Sequence, residues 1–258
     1  VYSNAFPVSP GVIPVTVVVP ARNEAADIAR CCEALNRQDH PLTDIEVLLV
    51  DGASDDGTGD VARDALDPRF ARVEVLRNEV GATPSNLNVG LAEARGRIVV
   101  RVDARSIVPT TYVRQIVEVL DGDPTIAVAG GAQVAAPRRS DAAAVGIARA
   151  LNNRFTMGLS RYRRGGPSGP TDTVYLGAFR TEQLRSVDGW DEALATNQDF
   201  DLNRRMSALG DVWFVGDLAV EYLPRSSHRD LWRQYVRFGE WKVRYWRTTG
   251  DRPQPRQV

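Results

Sequence analysis

The feature that most constrains this chain is a short run, Ile98-Val99-Val100-Arg101-Val102, apolar and β-branched at all but one position and ending on Asp103. Such a run suits a strand buried on both faces of a mostly parallel sheet, where polar and apolar side chains no longer alternate. Ligands of open α/β sheets bind beyond the carboxyl ends of the strands, so an acid delivered there stands where chemistry is done. Capping of the next helix is the other role open to Asp103, and Pro109 argues for a later helix start. Two comparable runs come earlier: Val15–Val19, stopped by Pro20, and Ile45–Val50, which finishes at Asp51.

Helical patterns fill the gaps. Residues 1–14 are Pro-rich and read as a lead-in. A helix is predicted from about Ala25 to Arg37, and another from the Gly52–Thr58 turn to about Leu66. A third strand spans Arg72–Leu76, and Pro84 opens a helix through Ala94, since proline is tolerated in a first helical turn. This alternation predicts a nucleotide-binding α/β half over residues 15–105. The Gly-x-Gly-x-x-Gly turn of dinucleotide folds is missing, and so is the Gly-Lys-Ser/Thr of a P-loop, which disfavours a nicotinamide enzyme and an NTPase.

Residues 106–224 are predicted to form a second half within the same domain. Its expected elements are a helix over Thr110–Leu120, a strand over Ile126–Val134 and an Ala-rich helix over Asp141–Phe155. Ser160–Asp172 is rich in Gly and Pro and reads as an irregular, mobile lid. A strand over Val174–Phe179, a helix entered through Thr196-Asn197-Gln198-Asp199 and running to about Leu209, and a short strand over Val212–Val215 complete it. Residues 225–258 carry nine basic residues against three acids, whereas the whole chain has a formal charge of −1. A protein devoted to nucleic acid is therefore not expected, and the terminal segment favours an anionic surface or ligand.

The two cysteines, Cys31 and Cys32, are adjacent and too few for a disulfide framework, which points to a reducing compartment. No stretch approaches the ~20 apolar residues that span a bilayer, and no signal peptide is visible. The chain starts without Met and stops in polar sequence, as expected of a piece cut from a longer protein whose membrane segments are missing.

Several motifs together carry a resemblance. They are Val17-Val18-Val19-Pro20-Ala21-Arg22-Asn23-Glu24, Val50-Asp51-Gly52-Ala53-Ser54-Asp55-Asp56-Gly57-Thr58, Asn88-Val89-Gly90 with Gly96, and Val102-Asp103-Ala104. Further along come Gly189-Trp190-Asp191-Glu192, Asn197-Gln198-Asp199-Phe200-Asp201-Leu202-Asn203 and Arg233-Gln234-Tyr235 with Gly239. In this order and spacing the chain resembles an inverting family 2 glycosyltransferase of the GT-A fold, nearest the ExoA-like transferases of succinoglycan-type exopolysaccharide assembly. The resemblance implies a nucleotide-sugar donor, UDP above all, and a carbohydrate or lipid-linked acceptor at the cytoplasmic face of the cell membrane.

It also implies roles for particular residues. Pro20, Ala21, Arg22 and Glu24 would line the nucleoside slot with Asn88 and Arg97, and Asp51 would accept from the uracil N3–H, unless Asp51 serves only as a turn former. Asp55 and Asp56 read as turn and capping residues. Asp103 matches the first acid of the family's Asp-x-Asp motif, with Ala104 beside it, and would hold Mg²⁺ or Mn²⁺ against the diphosphate. Arg105 stands where a second acid is common and would itself neutralise phosphate charge. His228 would complete the metal site or simply begin an exposed helix.

Asp199 would be the base that takes the acceptor proton, with Asp201 the alternative. Trp190, Asp191, Tyr175, Gly177 and Gln198 would form the acceptor floor, a core position being the other reading of Trp190. Arg233 would contact the diphosphate as part of a degenerate Gln-x-x-Arg-Trp element. The basic, aromatic segment from His228 to Tyr245 reads either as a helix lying in the membrane interface or as a core-packing helix with a solvated basic face. A sugar nucleotidyltransferase would show a Gly-rich, Lys/Arg-bearing signature after the first strand, which is missing, and a non-catalytic nucleotide-sugar sensor is the remaining alternative.

Overall fold

The computed structural model describes residues 13–153, 160–194, 198–225 and 227–249. The lead-in, the end of the Ala-rich helix beyond Asn153, the Thr196-Asn197 entry and the side chains of Arg237, Trp241, Lys242, Arg244, Tyr245 and Trp246 lie outside the described residues.

The first half follows the expected alternation: β1 (Val15–Ala21), α1 (Ile28–Asn36), β2 (Ile45–Asp51), α2 (Thr58–Ala65), β3 (Arg72–Arg77), α3 (Thr83–Glu93) and β4 (Ile98–Arg101). Then come β5 (Ser106–Ile107), α4 (Tyr112–Gly122), β6 (Ile126–Ala135), α5 (Ala142–Leu151), α6 (Arg161–Arg164) and β7 (Gly169–Pro170). The last elements are β8 (Tyr175–Arg180), α7 (Thr181–Ser186), α8 (Gln198–Met206), β9 (Asp211–Tyr222) and α9 (His228–Thr249).

Among the described residues one sheet holds nine strands, in the order β3-β2-β1-β4-β8-β6-β9-β5 with β7 added against β9. β1 pairs in parallel with β2 and β4, β2 with β3, and β6 with β9. β8 is antiparallel to both β4 and β6, so β6 and β9 point the same way as the first four strands. Six strands therefore end at one edge, as the mostly parallel sheet expected from the sequence requires.

Strand alternation sorts β1 between two cores. Val15, Val17 and Val19 pack with Ile28, Leu35, Tyr112, Ile116 and Leu120 on the face covered by α1 and α4. Val18 packs with Leu87, Leu91, Trp190, Leu202 and Met206 on the face covered by α3 and α8. Both cysteines are free and buried in the first of these cores.

At the edge where the strands begin, Thr16 and Glu46 are fully buried and satisfied by a closed polar network. The Thr16 hydroxyl donates to Glu46, Arg72 Nη1 pairs with Glu46 Oε1 at 2.6 Å, and the Gly96 amide donates to Thr16 Oγ1 at 2.8 Å. A Cβ at Gly96 would lie 2.4 Å from the Thr16 amide nitrogen and 2.6 Å from the Val15 carbonyl carbon, atoms that cannot swing aside. Gly96→Ala is therefore expected to cost about 1–3 kcal/mol of stability, the usual range for overpacking, measurable by urea denaturation.

Three expectations are corrected here. Ser160–Asp172 is not an irregular lid. It carries α6 and β7, and β7 pairs antiparallel with β9 through Gly169 with Phe214 and Pro170 with Trp213. Arg161 seals the arrangement, donating to the Pro170 carbonyl at 2.9 Å and lying 5.7 Å from the centroid of the Phe214 ring. The last strand, expected over Val212–Val215, runs on to Tyr222. Gly216-Asp217 interrupts its apolar pattern, and there the register shifts against β6. A Cβ on Gly131 would lie 2.0 Å from the Leu218 carbonyl, so the two strands stay together across the shift because Gly131 has none. The Ala-rich helix begins at Ala142, with Asp141 as its cap accepting from the Ala144 amide at 2.9 Å.

Candidate active site

The loops after β1 and β2 form one platform. The Gly52 amide donates to the Ala21 carbonyl at 2.8 Å, Asn23 N to Ser54 Oγ at 2.9 Å and Glu24 N to Thr58 Oγ1 at 2.8 Å. Asp56 does more than cap α2. Its Oδ1 accepts from the Thr58 amide at 3.0 Å while Oδ2 accepts from the Ala25 amide at 3.0 Å; burial pushes its carboxyl up, and the hydrogen bonds from the Thr58 hydroxyl and these two amides together hold it below the usual range. Asn23 and Ala53 both adopt positive φ, which lets the two loops turn sharply at the strand ends. Pro20 and Ala21 close β1 beneath this platform, the buried Asp51 accepts from the Ser54 amide at 3.1 Å, and the exposed Arg22 lies over Gly81.

The next strand end holds the centre of the site. Arg101 closes β4, and its side chain is only 8% exposed, so its charge needs partners. Its Nε donates to Asp103 Oδ1 at 2.7 Å and its Nη2 to Asp103 Oδ2 at 3.2 Å, while Nη1 pairs with Asp199 Oδ1 from the first turn of α8. One guanidinium thus bridges two acids that are 96 positions apart in the sequence. Arg101, Asp103, Asp199, Tyr175, Leu176, Gly177, Phe179, Val174 and Asn203 line a small pocket open to solvent.

The side chain of Asp199 keeps 50% of its surface accessible toward this opening. Protein nonetheless surrounds it closely, and loss of solvation raises its carboxyl above the ordinary value. Arg101 pulls it back, and the Asp103 charge pushes it up again. The Trp190 indole N–H adds a weaker downward pull from outside normal hydrogen-bond geometry. Burial also pushes the Tyr175 hydroxyl up, which keeps it neutral and in a 2.8 Å hydrogen bond with Ser106 Oγ. Asp201, the alternative base, is drawn away by Arg205, whose Nε lies 2.8 Å from its Oδ2. Gln198 is buried at the start of α8.

Asp103 offers a partly exposed carboxylate of the hard-oxygen type that Mg²⁺ and Mn²⁺ prefer. The neighbouring Ala104 is buried, and Arg105 pairs through Nε with Glu24 Oε1 at 3.2 Å. Among the described residues no three or more His, Cys, Asp or Glu side chains gather as a metal cage, so His228 at the head of α9 joins no such group with Asp103. Both Asp103 oxygens already bind Arg101, so a cation there would share this one carboxylate with the guanidinium and take its other ligands from a bound molecule.

Other sequence-predicted residues are not brought to this pocket. Arg97 precedes β4, at the opposite end of the strand from Asp103, and its Nη2 binds Asp121 Oδ2 at 2.6 Å. Trp190 is 1% exposed and packs edge-on against Phe179 with ring centroids 5.8 Å apart, so it is a core tryptophan that supports the pocket from behind and has no free face for a sugar. Asn88 secures that same loop, donating to the Trp190 carbonyl at 2.7 Å and accepting from its amide at 2.9 Å. Asp191 is exposed and caps the Ala193 amide at 2.9 Å. Arg233 projects from α9 with 59% of its side chain exposed, 3.7 Å from Asp230. Gly177 does line the pocket, and a Cβ there would meet the Phe179 ring at 2.7 Å.

A profile described as Glycosyl transferase family 2 matches residues 16–180. The chain belongs to that family. Succinoglycan biosynthesis protein ExoA of Rhizobium meliloti (strain 1021) is 28% identical over 233 residues, which cover 88% of this chain and 68% of that protein. The mannosyltransferase PcManGT of Pyrobaculum calidifontis, solved with GDP-Man and Mn²⁺, superposes with a TM-score of 0.68 at 23% identity over 93% of this chain and 65% of that one. TarS 1-349 of S. aureus, solved with UDP-GlcNAc, gives 0.66 at 19% identity, and this chain covers 60% of its length. The fold is GT-A, and the protein is a glycosyltransferase of the family its motifs resemble.

Proposed function

We propose that this chain transfers a sugar, with inversion, from a nucleoside-diphosphate donor to a hydroxyl of a carbohydrate or lipid-linked acceptor. The observation that carries this reading is the bridging of Asp103 and Asp199 by Arg101 on one pocket wall. Asp199 takes the acceptor proton as the new bond forms between that oxygen and the anomeric carbon. The bond from the anomeric carbon to the diphosphate oxygen breaks, and the nucleoside diphosphate leaves with that electron pair. The raised Asp199 carboxyl is the stronger base for being desolvated, while Arg101 keeps it ionised.

Mg²⁺ or Mn²⁺ held by Asp103 would offset charge on the departing diphosphate. The joined loops around Asp51 and Glu24 supply the nucleoside platform, and the carboxylate of Asp51 favours uracil as the base. None of the described helices is long and apolar enough to cross a membrane. On α9, Trp232 is 72% exposed, with Val236 and Val243 also exposed beside Arg229, Arg233 and Arg247, a surface suited to lying against anionic lipid at the cytoplasmic face.

The test is release of the nucleoside diphosphate from a panel of UDP- and GDP-sugars, with Mg²⁺ or Mn²⁺, in the presence of glycan and lipid-phosphate acceptors. Turnover of a UDP-sugar that depends on acceptor is the expected result. Tight donor binding without turnover across the whole panel would instead make the chain a sensor.

A further inference from the structure

Four strands that point the same way, β1, β4, β6 and β9, each deliver a charged residue shortly beyond their last residue. These are Glu24 after Ala21, Arg105 after Arg101, Arg138 after Ala135 and Arg225 after Tyr222. Backbone bonds bring the ends together: the Ala136 amide donates to the Tyr222 carbonyl at 2.9 Å, and the Leu223 amide to the Arg105 carbonyl at 2.9 Å. The Arg105 guanidinium lies 5.7 Å from the centroid of the Tyr222 ring.

The local charges do not cancel. Arg105 holds Glu24, and Arg138 Nη2 holds Asp27 Oδ2. Arg225 is exposed, and among the described residues no ion pair engages it. Among the described residues, Nη1 of Arg105 is buried without a hydrogen-bond partner, a donor two positions beyond Asp103 that none of them satisfies. The Asp27 amide donates to the Glu24 carbonyl at 2.9 Å, which sets the Arg138 pair beside the Arg105 pair, and Leu223, bonded to the Arg105 carbonyl, stands two residues before Arg225. Burial raises the Glu24 carboxyl, and the charges of Arg105, Arg225 and Arg138 draw it back down.

We propose that Arg105, Arg138 and Arg225 form a cationic cradle that binds the donor's diphosphate directly, so that diphosphate binding needs no divalent cation. The inference rests on the reading of this site as a nucleoside-diphosphate site. Guanidinium groups stay charged at every working pH, and their forked donors match phosphate oxygens in pairs. A diphosphate carries at least two charges and competes for Arg105 against a single desolvated carboxylate.

The test is calorimetric titration of the whole chain with inorganic pyrophosphate, UDP and uridine in EDTA. The wild-type protein is expected to bind pyrophosphate and UDP without added metal. Arg225→Gln, at an exposed position, and Arg138→Gln are each expected to weaken both ligands by about tenfold and leave uridine unchanged, the loss of one charged hydrogen-bonding partner. Arg138→Lys, which keeps the charge opposite Asp27, replaces Arg138→Gln if thermal melting shows that variant to be unfolded, and it is expected to bind less tightly than wild type for want of the fork.

Pyrophosphate binding that appears only when Mg²⁺ or Mn²⁺ is added, or Arg225→Gln binding pyrophosphate as wild type does, overturns the cradle. Failure of the transfer reading looks different. Metal-free pyrophosphate binding that follows the arginines, in a protein that turns over no sugar nucleotide, leaves the cradle standing and removes the transferase.

Discussion

Asp199→Asn is expected to lower kcat by about 10²- to 10⁴-fold, the usual contribution of a positioned general base, while UDP binding stays within about threefold of wild type. The amide keeps the shape of the side chain and still fills its place beside Arg101, so the pocket persists while its proton acceptor is lost. The pH profile of the wild-type enzyme carries the same signature. The base must be ionised to act, and desolvation raises the Asp199 carboxyl, so the rate climbs with pH through a value above the ordinary carboxylate range and levels off beyond it. Asp199→Asn loses that limb. Initial rates across pH, together with calorimetry for UDP, check both points. A variant that retains its turnover would move the base elsewhere, and Asp201, already engaged by Arg205, is a poor substitute.

The second large effect belongs to Arg101, which no motif singled out. Arg101→Met leaves Asp103 and Asp199 facing each other across one pocket without the cation that bridges them. Removing one partner from a fully buried pair costs about 3–5 kcal/mol, and the partial exposure of both acids reduces the expected loss here to about 1–3 kcal/mol. The sign with pH follows from the acid. With Arg101 gone, the folded-state Asp199 rises further above its unfolded value. The penalty is then absent below the unfolded value and grows as pH rises toward the folded one. Urea denaturation of the variant at acidic and neutral pH should show that trend, and its activity limb should move to higher pH than that of wild type. An unchanged limb would mean that Arg101 does not govern the ionisation of Asp199. Arg101→Lys restores charge without the fork and should fall between the two.

Much of this was legible along the chain. The apolar runs stopped by Pro20 and leading into Asp51 and Asp103 place three strand ends side by side, and the polar turn after Asp51 carries the side chains that knit the two loops. The two acids that line the pocket were also visible, because a helix that opens with Gln198-Asp199 and a strand that leads into Asp103 are local features. Arg101 had a faint signal, a single charge inside an apolar strand, which burial makes costly unless something answers it. What answers it comes from α8, and no local pattern could supply that.

Local sequence determined which segments become strands and helices, since periodicity and turn chemistry act over a few residues. Tertiary structure decided which charges meet. It turned Trp190 from a sugar platform into a core residue by packing it against Phe179, and it set Arg97 at the far end of its strand, paired with Asp121. It also carried β9 past the Gly216-Asp217 interruption to Tyr222, which lets the Leu223 amide bond the Arg105 carbonyl. The physical reason is common to all three: burial and ion pairing depend on neighbours distant in the sequence, and only the assembled sheet supplies them.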